Sequence, residues 1–295
     1  MYILMTILVL IWGLDYSVAK HALDTLDPLT LLFFKYLVSL IILVVVRAFV
    51  EKGPLFKKKD IIMFVLCAFF GDVAYYFSEY TAMDYMPVSL ISIVLTFVPV
   101  VSILIERIMY KKRAEKKVVI GVFVCVFGVA LIIGIDWNIL FQGRAIGYLL
   151  AFACVLCWNI YNFITASLHK RYSTLNLTLN QLICTCLIIL PYVLHVAPPV
   201  LDFTPTLIWE ILYLGVVSST VGFLIYVRSL HVLGPTTSAL FSNFLPVTAT
   251  FFGWLILGEV IAPIQFVGGA IVIFAGFIVI KELGKAQDDQ IKNIN

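Results

Sequence analysis

The chain has 295 residues, 62% of them hydrophobic and 13% charged, with a formal net charge of +3 and a mean hydropathy of +1.07. A soluble domain of this size keeps a large polar exterior in water, so this composition excludes an ordinary water-soluble globule and makes lipid the natural solvent. The excess of positive charge is small, and its placement along the chain matters more than its sum.

A helix that crosses a hydrocarbon core of about 30 Å needs roughly 20 mostly apolar residues. The sequence divides into ten such stretches, at roughly 2–21, 28–50, 60–82, 87–109, 116–135, 145–168, 174–197, 205–230, 235–257 and 262–281. The expected fold is therefore an all-α membrane protein of ten transmembrane helices, with no separate soluble domain. The first stretch begins almost at Met1 without a basic leader, which reads as a retained span rather than a cleavable signal.

That first stretch carries Trp12, Asp15 and Tyr16. Asp15 and Lys35, in the second, fall at similar depths, and a structural ion pair between them would neutralise both inside the membrane. The third holds Asp72, Tyr75, Tyr76 and Glu79 at i, i+3, i+4 and i+7, one face of a helix. A carboxylate at the bilayer centre costs roughly 2.5–3.5 kcal/mol on insertion scales, so it is expected to face a cavity or a partner. Asp72 is thus a candidate for binding substrate or exchanging a proton, and a hydrogen-bonded packing role is the alternative. Glu79 lies closer to the outer surface.

In the fourth stretch Pro99 frees the carbonyl of Leu95, near Ser92 and Thr96; in the ninth Pro246 frees that of Ser242, near Ser238 and Asn243. Broken helices in lipid line a protein interior or a watery cavity, and a packing kink is the plainer reading of the same prolines. The sixth stretch offers Trp158, Asn159 and Asn162. On a rise of about 1.5 Å per residue, Trp12, Asp72, Pro99, Trp158 and Pro246 all fall near one level at the bilayer centre. Aromatic walls with a few amides suit a small organic solute, including one with a cationic group. Cys154 and Cys157 form a C-x-x-C with no second pair or histidine at metal-site spacing, and all six cysteines read as small packing residues. No metal or cofactor is expected.

Basic residues gather on alternate connections. Arg47, Lys52 and Lys57 to Lys59 follow the second stretch; Arg107, Lys111, Lys112, Arg113, Lys116 and Lys117 follow the fourth; Lys20 and Arg144 stand on the other side. The positive-inside rule then puts both termini in the cytoplasm, and these clusters are topology determinants rather than nucleic-acid contacts.

The sequence also repeats. Met86-Pro87 recurs as Gly234-Pro235 and Gly121 with Gly128 as Gly269 with Gly276, both offset by 148; Val98-Pro99 recurs as Leu245-Pro246 at 147; Trp12 recurs as Trp158, and Lys35 falls opposite Gln181, at 146. The expected units are residues 1–137 and 138–295. Five helices per unit is an odd number, so the second unit enters the membrane from the opposite face and the repeat is inverted, the plan of many secondary transporters. Asp72 and Glu79 fall opposite Thr220 and Val227, so the halves differ in charge. The repeated glycines imply close helix contact, within one bundle or between two protomers.

The segment from Leu233 to Ala249, followed by Phe252-Gly-Trp-Leu-Ile-Leu-Gly-Glu259, resembles the ninth helix of EamA-type members of the drug/metabolite transporter superfamily. Ile11-Trp-Gly13 and Cys157-Trp158 match that family's tryptophan positions, and Lys35 stands where the family usually has arginine. The Gly-Glu at the end of the ninth stretch has no counterpart after the fourth, where Tyr110-Lys-Lys112 stands. The resemblance implies a single-subunit carrier of amino acids, related metabolites or amphipathic drugs in the cell membrane, often acting as an exporter, while the repeated glycines leave monomer and homodimer both open. Protons are a candidate coupling ion, and an importer or facilitator of a metabolite or organic cation is the alternative. An ATP-driven pump is disfavoured because no G-x-x-x-x-G-K-[ST] loop occurs. An enzyme is the competing class, but His21, His169, His195 and His231 fall at or near helix ends and form no catalytic set.

Overall fold

The computed structural model describes residues 1–52, 55–83, 85, 91, 94–110, 115–133, 145–196, 203–257 and 262–292. Met86-Pro87, Ser92, Lys111 to Arg113, Arg144 and Gly258-Glu259 lie outside the described residues. Every regular element among those described is helical.

Helix α1 spans Tyr2–Ala22 and α2 spans Pro28–Val50. Asp27 caps α2, its Oδ1 accepting from the backbone N–H groups of Leu29 and Thr30, while Pro28 supplies a pre-set first turn. The next helical run begins with a 3-10 turn at Lys58–Asp60 and continues through α3, Ile61–Ala68. A π-helical segment at Phe69–Ala74 leads into α4, Tyr75–Met83. Then come α5, Val98–Tyr110, and α6, Lys116–Ile133.

Helix α7 covers Ala145–Leu168 and α8 covers Thr174–Val196. Thr204 caps α9, Pro205–Leu212, which passes into a second π-helical segment at Tyr213–Gly222 and then α10, Phe223–Val232. Gly234 turns the chain at φ 81°, a conformation open to glycine. It starts α11, Gly234–Phe241, which a 3-10 turn at Ser242–Phe244 separates from α12, Leu245–Leu257; α13 is Pro263–Lys292.

Six helical runs are long and apolar enough to cross a membrane, by length and composition: Tyr2–Ala19, Pro28–Val50, Lys58–Glu79, Ala145–Leu168, Thr174–His195 and Pro205–Val232, with a shorter apolar helix at Pro263–Val279. The distribution of polarity agrees. Phe49 is 87% exposed, and Ile3, Ile108, Leu194 and Phe274 also face outward, whereas Gln181, Asn159, Asn162, Ser219 and Thr220 are buried. Apolar outside and polar inside is the arrangement that lipid, not water, rewards.

Packing is between distant parts of the chain. Helix α2 lies against α8, and α6 against α13. Helix α1 packs on the Tyr213–Gly222 segment and on α12, while α7 packs on the Phe69–Ala74 segment and on α5. Gly121 and Gly128 of α6 sit against Val279 and Val272 of α13, so these glycines serve contact within the bundle. All six cysteines are free, and Cys154 uses its thiol to bond the Tyr75 carbonyl at 3.5 Å.

Candidate functional site

Six elements meet at the interior: α1, α2, the run from Phe69 through α4, α7, α8 and α10. The π-helical segment matters here because an extra residue per turn widens the backbone spiral and re-aims the side chains it carries. Asp72 sits in that segment and is bonded at both oxygens, by the Tyr36 hydroxyl at 2.7 Å and the Thr185 hydroxyl at 2.5 Å. One turn on, the Tyr75 hydroxyl donates to Glu79 at 3.2 Å. Asp72 is 1%, Glu79 4% and Lys35 3% exposed, so three ionisable side chains share one sequestered interior.

The expected direct ion pair between Asp15 and Lys35 does not form: the ammonium nitrogen and the carboxylate oxygens do not come within 4 Å, and Oδ1 of Asp15 is buried without a hydrogen-bond partner. The Lys35 ammonium instead lies 4.5 Å from the centroid of the Tyr76 ring and 5.3 Å from that of Tyr36. Aromatic faces are negative and hold a cation without neutralising it. The charges of Asp15, Asp72 and Glu79 act on the ammonium through space, and Tyr16 lies within electrostatic reach of Glu79 and Asp15. Shared depth was a sound reason to group Asp15 with Lys35, but the ammonium rests against two tyrosine rings instead.

Trp158 is the hub of an aromatic wall. Its ring centroid is 5.1 Å from Tyr75 and from Tyr161, 5.2 Å from Tyr226 and 6.2 Å from Trp12. Its indole N–H donates to the Tyr226 hydroxyl at 2.9 Å, which donates in turn to Oδ1 of Asn162 at 3.0 Å. The amide nitrogen of Asn162 is left buried without a partner. Glycine at 222 admits the Trp12 indole, since a Cβ there would stand 2.8 Å from Nε1.

Ring contacts and hydrogen bonds thus link Trp12, Lys35, Asp72, Tyr75, Tyr76, Glu79, Trp158 and Asn162, while Asp15 and Tyr16 join them only through electrostatic reach. Asn159 does not belong to this network. Its Oδ1 accepts from Ser102 at 2.5 Å and its Nδ2 donates to the carbonyls of Val98 and Val155, so it ties α7 to α5 as a packing residue. Thr96 and Asn243 lie in separate turns. Thr96 is buried ahead of Pro99, where the Phe97 N–H bonds the Val94 carbonyl. Asn243 is buried in the 3-10 turn ahead of Pro246 with both polar atoms unpartnered. There the Leu245 N–H bonds the Ser242 carbonyl, satisfying the group that Pro246 leaves free.

Sequence reasoning missed Tyr36, Thr185 and Tyr226. Thr185 had a signal, because the offset of 146 that pairs Lys35 with Gln181 also pairs Ser39 with Thr185. Tyr226 had none. Among the described residues, no group of three His, Cys, Asp or Glu side chains could hold a metal ion.

A lipid-facing helical bundle with a buried polar centre, lined by charge and aromatic rings, defines a membrane protein that handles a solute rather than one that merely anchors. The profile of the EamA-like transporter family matches residues 1–134 and 145–281, and the chain belongs to that family. It is 21% identical over 268 residues to the uncharacterized transporter YoaV of Bacillus subtilis (strain 168), covering 90% of this chain and 91% of that one. It is 24% identical over 287 residues to a probable amino-acid metabolite efflux pump of Salmonella typhimurium, covering 92% of both. A solved structure described only as a crystal structure of a protein has the same fold, with a TM-score of 0.78 at 15% identity over 94% of this chain and 96% of that one.

Proposed function

We propose that this membrane transporter is a secondary active carrier of small organic solutes, most closely amino acids or related metabolites, that works by alternating access as an exporter in the cell membrane. The observation that carries the reading is the buried cluster of Lys35, Asp72 and Glu79 beside the Trp12–Trp158 wall. Buried ionisable groups in a bundle are costly and mark solute or ion pathways. The Salmonella relative named as an amino-acid metabolite efflux pump supports both the substrate class and the direction.

The proposed frame is ten crossings in two inverted five-helix units, residues 1–137 and 138–295, with both termini cytoplasmic. Three features support it. The family profile matches in two stretches of nearly equal length. Both π-helical segments fall at corresponding places, one holding Asp72 and the other Thr220. Asp72 is bonded by Thr185, and Thr220 pairs with Ser39 at 2.9 Å, so each segment meets the opposite unit through a residue and its repeat mate.

Uptake into proteoliposomes tests the function. A mixed pool of amino acids, amines and nucleosides is supplied with and without an imposed pH gradient and read by mass spectrometry. Selective accumulation that follows the gradient is expected. Accumulation indifferent to the gradient keeps the carrier and removes protons as the coupling ion. No flux of any solute through a folded sample overturns the reading.

A further inference from the structure

Lys35 is a buried charge that the surrounding packing leaves open. It is 3% exposed, yet its ammonium makes no hydrogen bond or ion pair within 4 Å among the described residues. An ammonium carries three donors, and leaving them unmade away from water is costly. Asp15, Asp72 and Glu79 are the acids whose charge reaches it through space, and the rings of Tyr36 and Tyr76, against the ammonium, lead to Asp72 and, through Tyr75, to Glu79. None closes on it. Asp72 is fixed at both oxygens by Tyr36 and Thr185, and Glu79 is turned to the Tyr75 hydroxyl at 3.2 Å. Asp15 keeps a buried oxygen without a partner.

Opposite charges are therefore held near one another and apart, with the rings of Tyr36 and Tyr76 against the ammonium. A ligand that is only a cation would answer the carboxylates and leave the lysine donors unmade beside a like charge. A ligand that is only an anion would answer the lysine and face three carboxylates. A zwitterion answers both poles.

We propose that Lys35 receives the carboxylate of a zwitterionic amino acid, that Asp15 and Glu79 receive its ammonium, and that its side chain rests on the wall formed by Trp12, Tyr75 and Trp158. This rests on the transport reading and specifies how the same site reads its solute. In this arrangement Asp72 is a positioning residue, holding Tyr36 beside the lysine.

Equilibrium binding of L-phenylalanine and of phenethylamine, the same molecule without the carboxylate, to the purified full-length protein separates the poles. The wild type is expected to bind L-phenylalanine at least about tenfold more tightly than the amine, the size of one charged hydrogen-bonded contact. Lys35→Met is expected to erase that preference by weakening the amino acid while the amine, relieved of a like charge, binds at least as tightly as to the wild type, and Lys35→Arg to keep it. Retained preference in Lys35→Met overturns the assignment of Lys35 while proteoliposome flux continues to support a carrier. Equal or better binding of the amine by the wild type overturns the zwitterion without recourse to any variant. Loss of flux for every solute, by contrast, bears on the transport reading alone.

Discussion

Asp72 owes its place to two hydroxyls, and that makes the role of its charge testable. Both oxygens accept, from Tyr36 and Thr185. In Asp72→Asn the shape and both contacts are kept, because the Thr185 hydroxyl can donate to the Gln181 carbonyl and accept from the new amide nitrogen, but the charge and the charge-assisted part of each hydrogen bond are lost. We expect a folded protein whose pH-driven uptake is abolished or uncoupled in proteoliposomes; normal pH-dependent uptake would remove Asp72 from the coupling. A second residue reports on stability outside the spans. Burial at the end of α7 holds the His169 imidazole below its usual 6.5, and the neighbouring His231 and Arg228 act in the same direction. Its ring N–H bonds the Val227 carbonyl at 2.7 Å. The folded chain then binds fewer protons there than the unfolded chain, so this contribution is present above the unfolded value and is lost as pH falls through the folded one. Thermal melts of His169→Gln should show a flatter decline in Tm from about pH 7 to pH 5 than the wild type.

At the scale of elements, the irregular segments carry several of the buried polar side chains. The π-helical stretches carry Asp72 and Thr220, and the 3-10 turn at Ser242–Phe244 carries Asn243. Proline at 246 has no N–H for the Ser242 carbonyl, which the Leu245 N–H meets instead in 3-10 form. Pro246→Ala should let that turn relax toward α-helix, raising Tm slightly while cutting transport severalfold as Asn243 is moved. Unaltered transport would leave the break a packing feature only. Close approach across elements predicts the opposite sign elsewhere. In Gly222→Ala the new methyl group meets Trp12 Nε1 at 2.8 Å and Leu8 at 3.2 Å. Overpacking of that kind costs roughly 1–3 kcal/mol, and calorimetry should show a lowered Tm with disturbed tryptophan fluorescence.

Across the whole molecule, the two proposed units are fastened at both ends of the bundle. At one end Asp60 is paired with Arg171 and accepts from the Tyr172 hydroxyl at 2.7 Å, while Arg47 and Glu51 both bond Asn176. At the other, His21 lies 2.6 Å from Glu210. Asp60 is buried, so its removal strands the Arg171 contact; breaking a buried pair costs about 3–5 kcal/mol, and the partial exposure of Arg171 places this one at or below the low end. Asp60→Ala should lower Tm clearly, and cysteine labelling near Met63 should become faster if this end opens during transport.

The sequence by itself determined the solvent, the helical class, the apolar runs and the family, because these depend on composition, on stretches of about 20 apolar residues and on local motifs. It also put Asp72, Tyr75, Tyr76 and Glu79 in one short stretch, and α-helical spacing pairs Tyr75 with Glu79, whose side chains bond, but the π-helical turn that carries Asp72 is not legible in that spacing. Trp12 and Trp158 were legible through the repeat, and their rings do meet in the structure. The partners were decided only by tertiary structure. Thr185 reaches Asp72 across 113 positions and Tyr226 reaches Trp158 across 68, and neither separation leaves a trace in local pattern. The same holds for Asn159, whose amide looked free and is occupied by α5, and for Lys35, whose depth suggested Asp15 as its partner. Depth along a helix follows from counting residues, but the direction a side chain takes depends on which rings and hydroxyls the neighbouring helices bring to it.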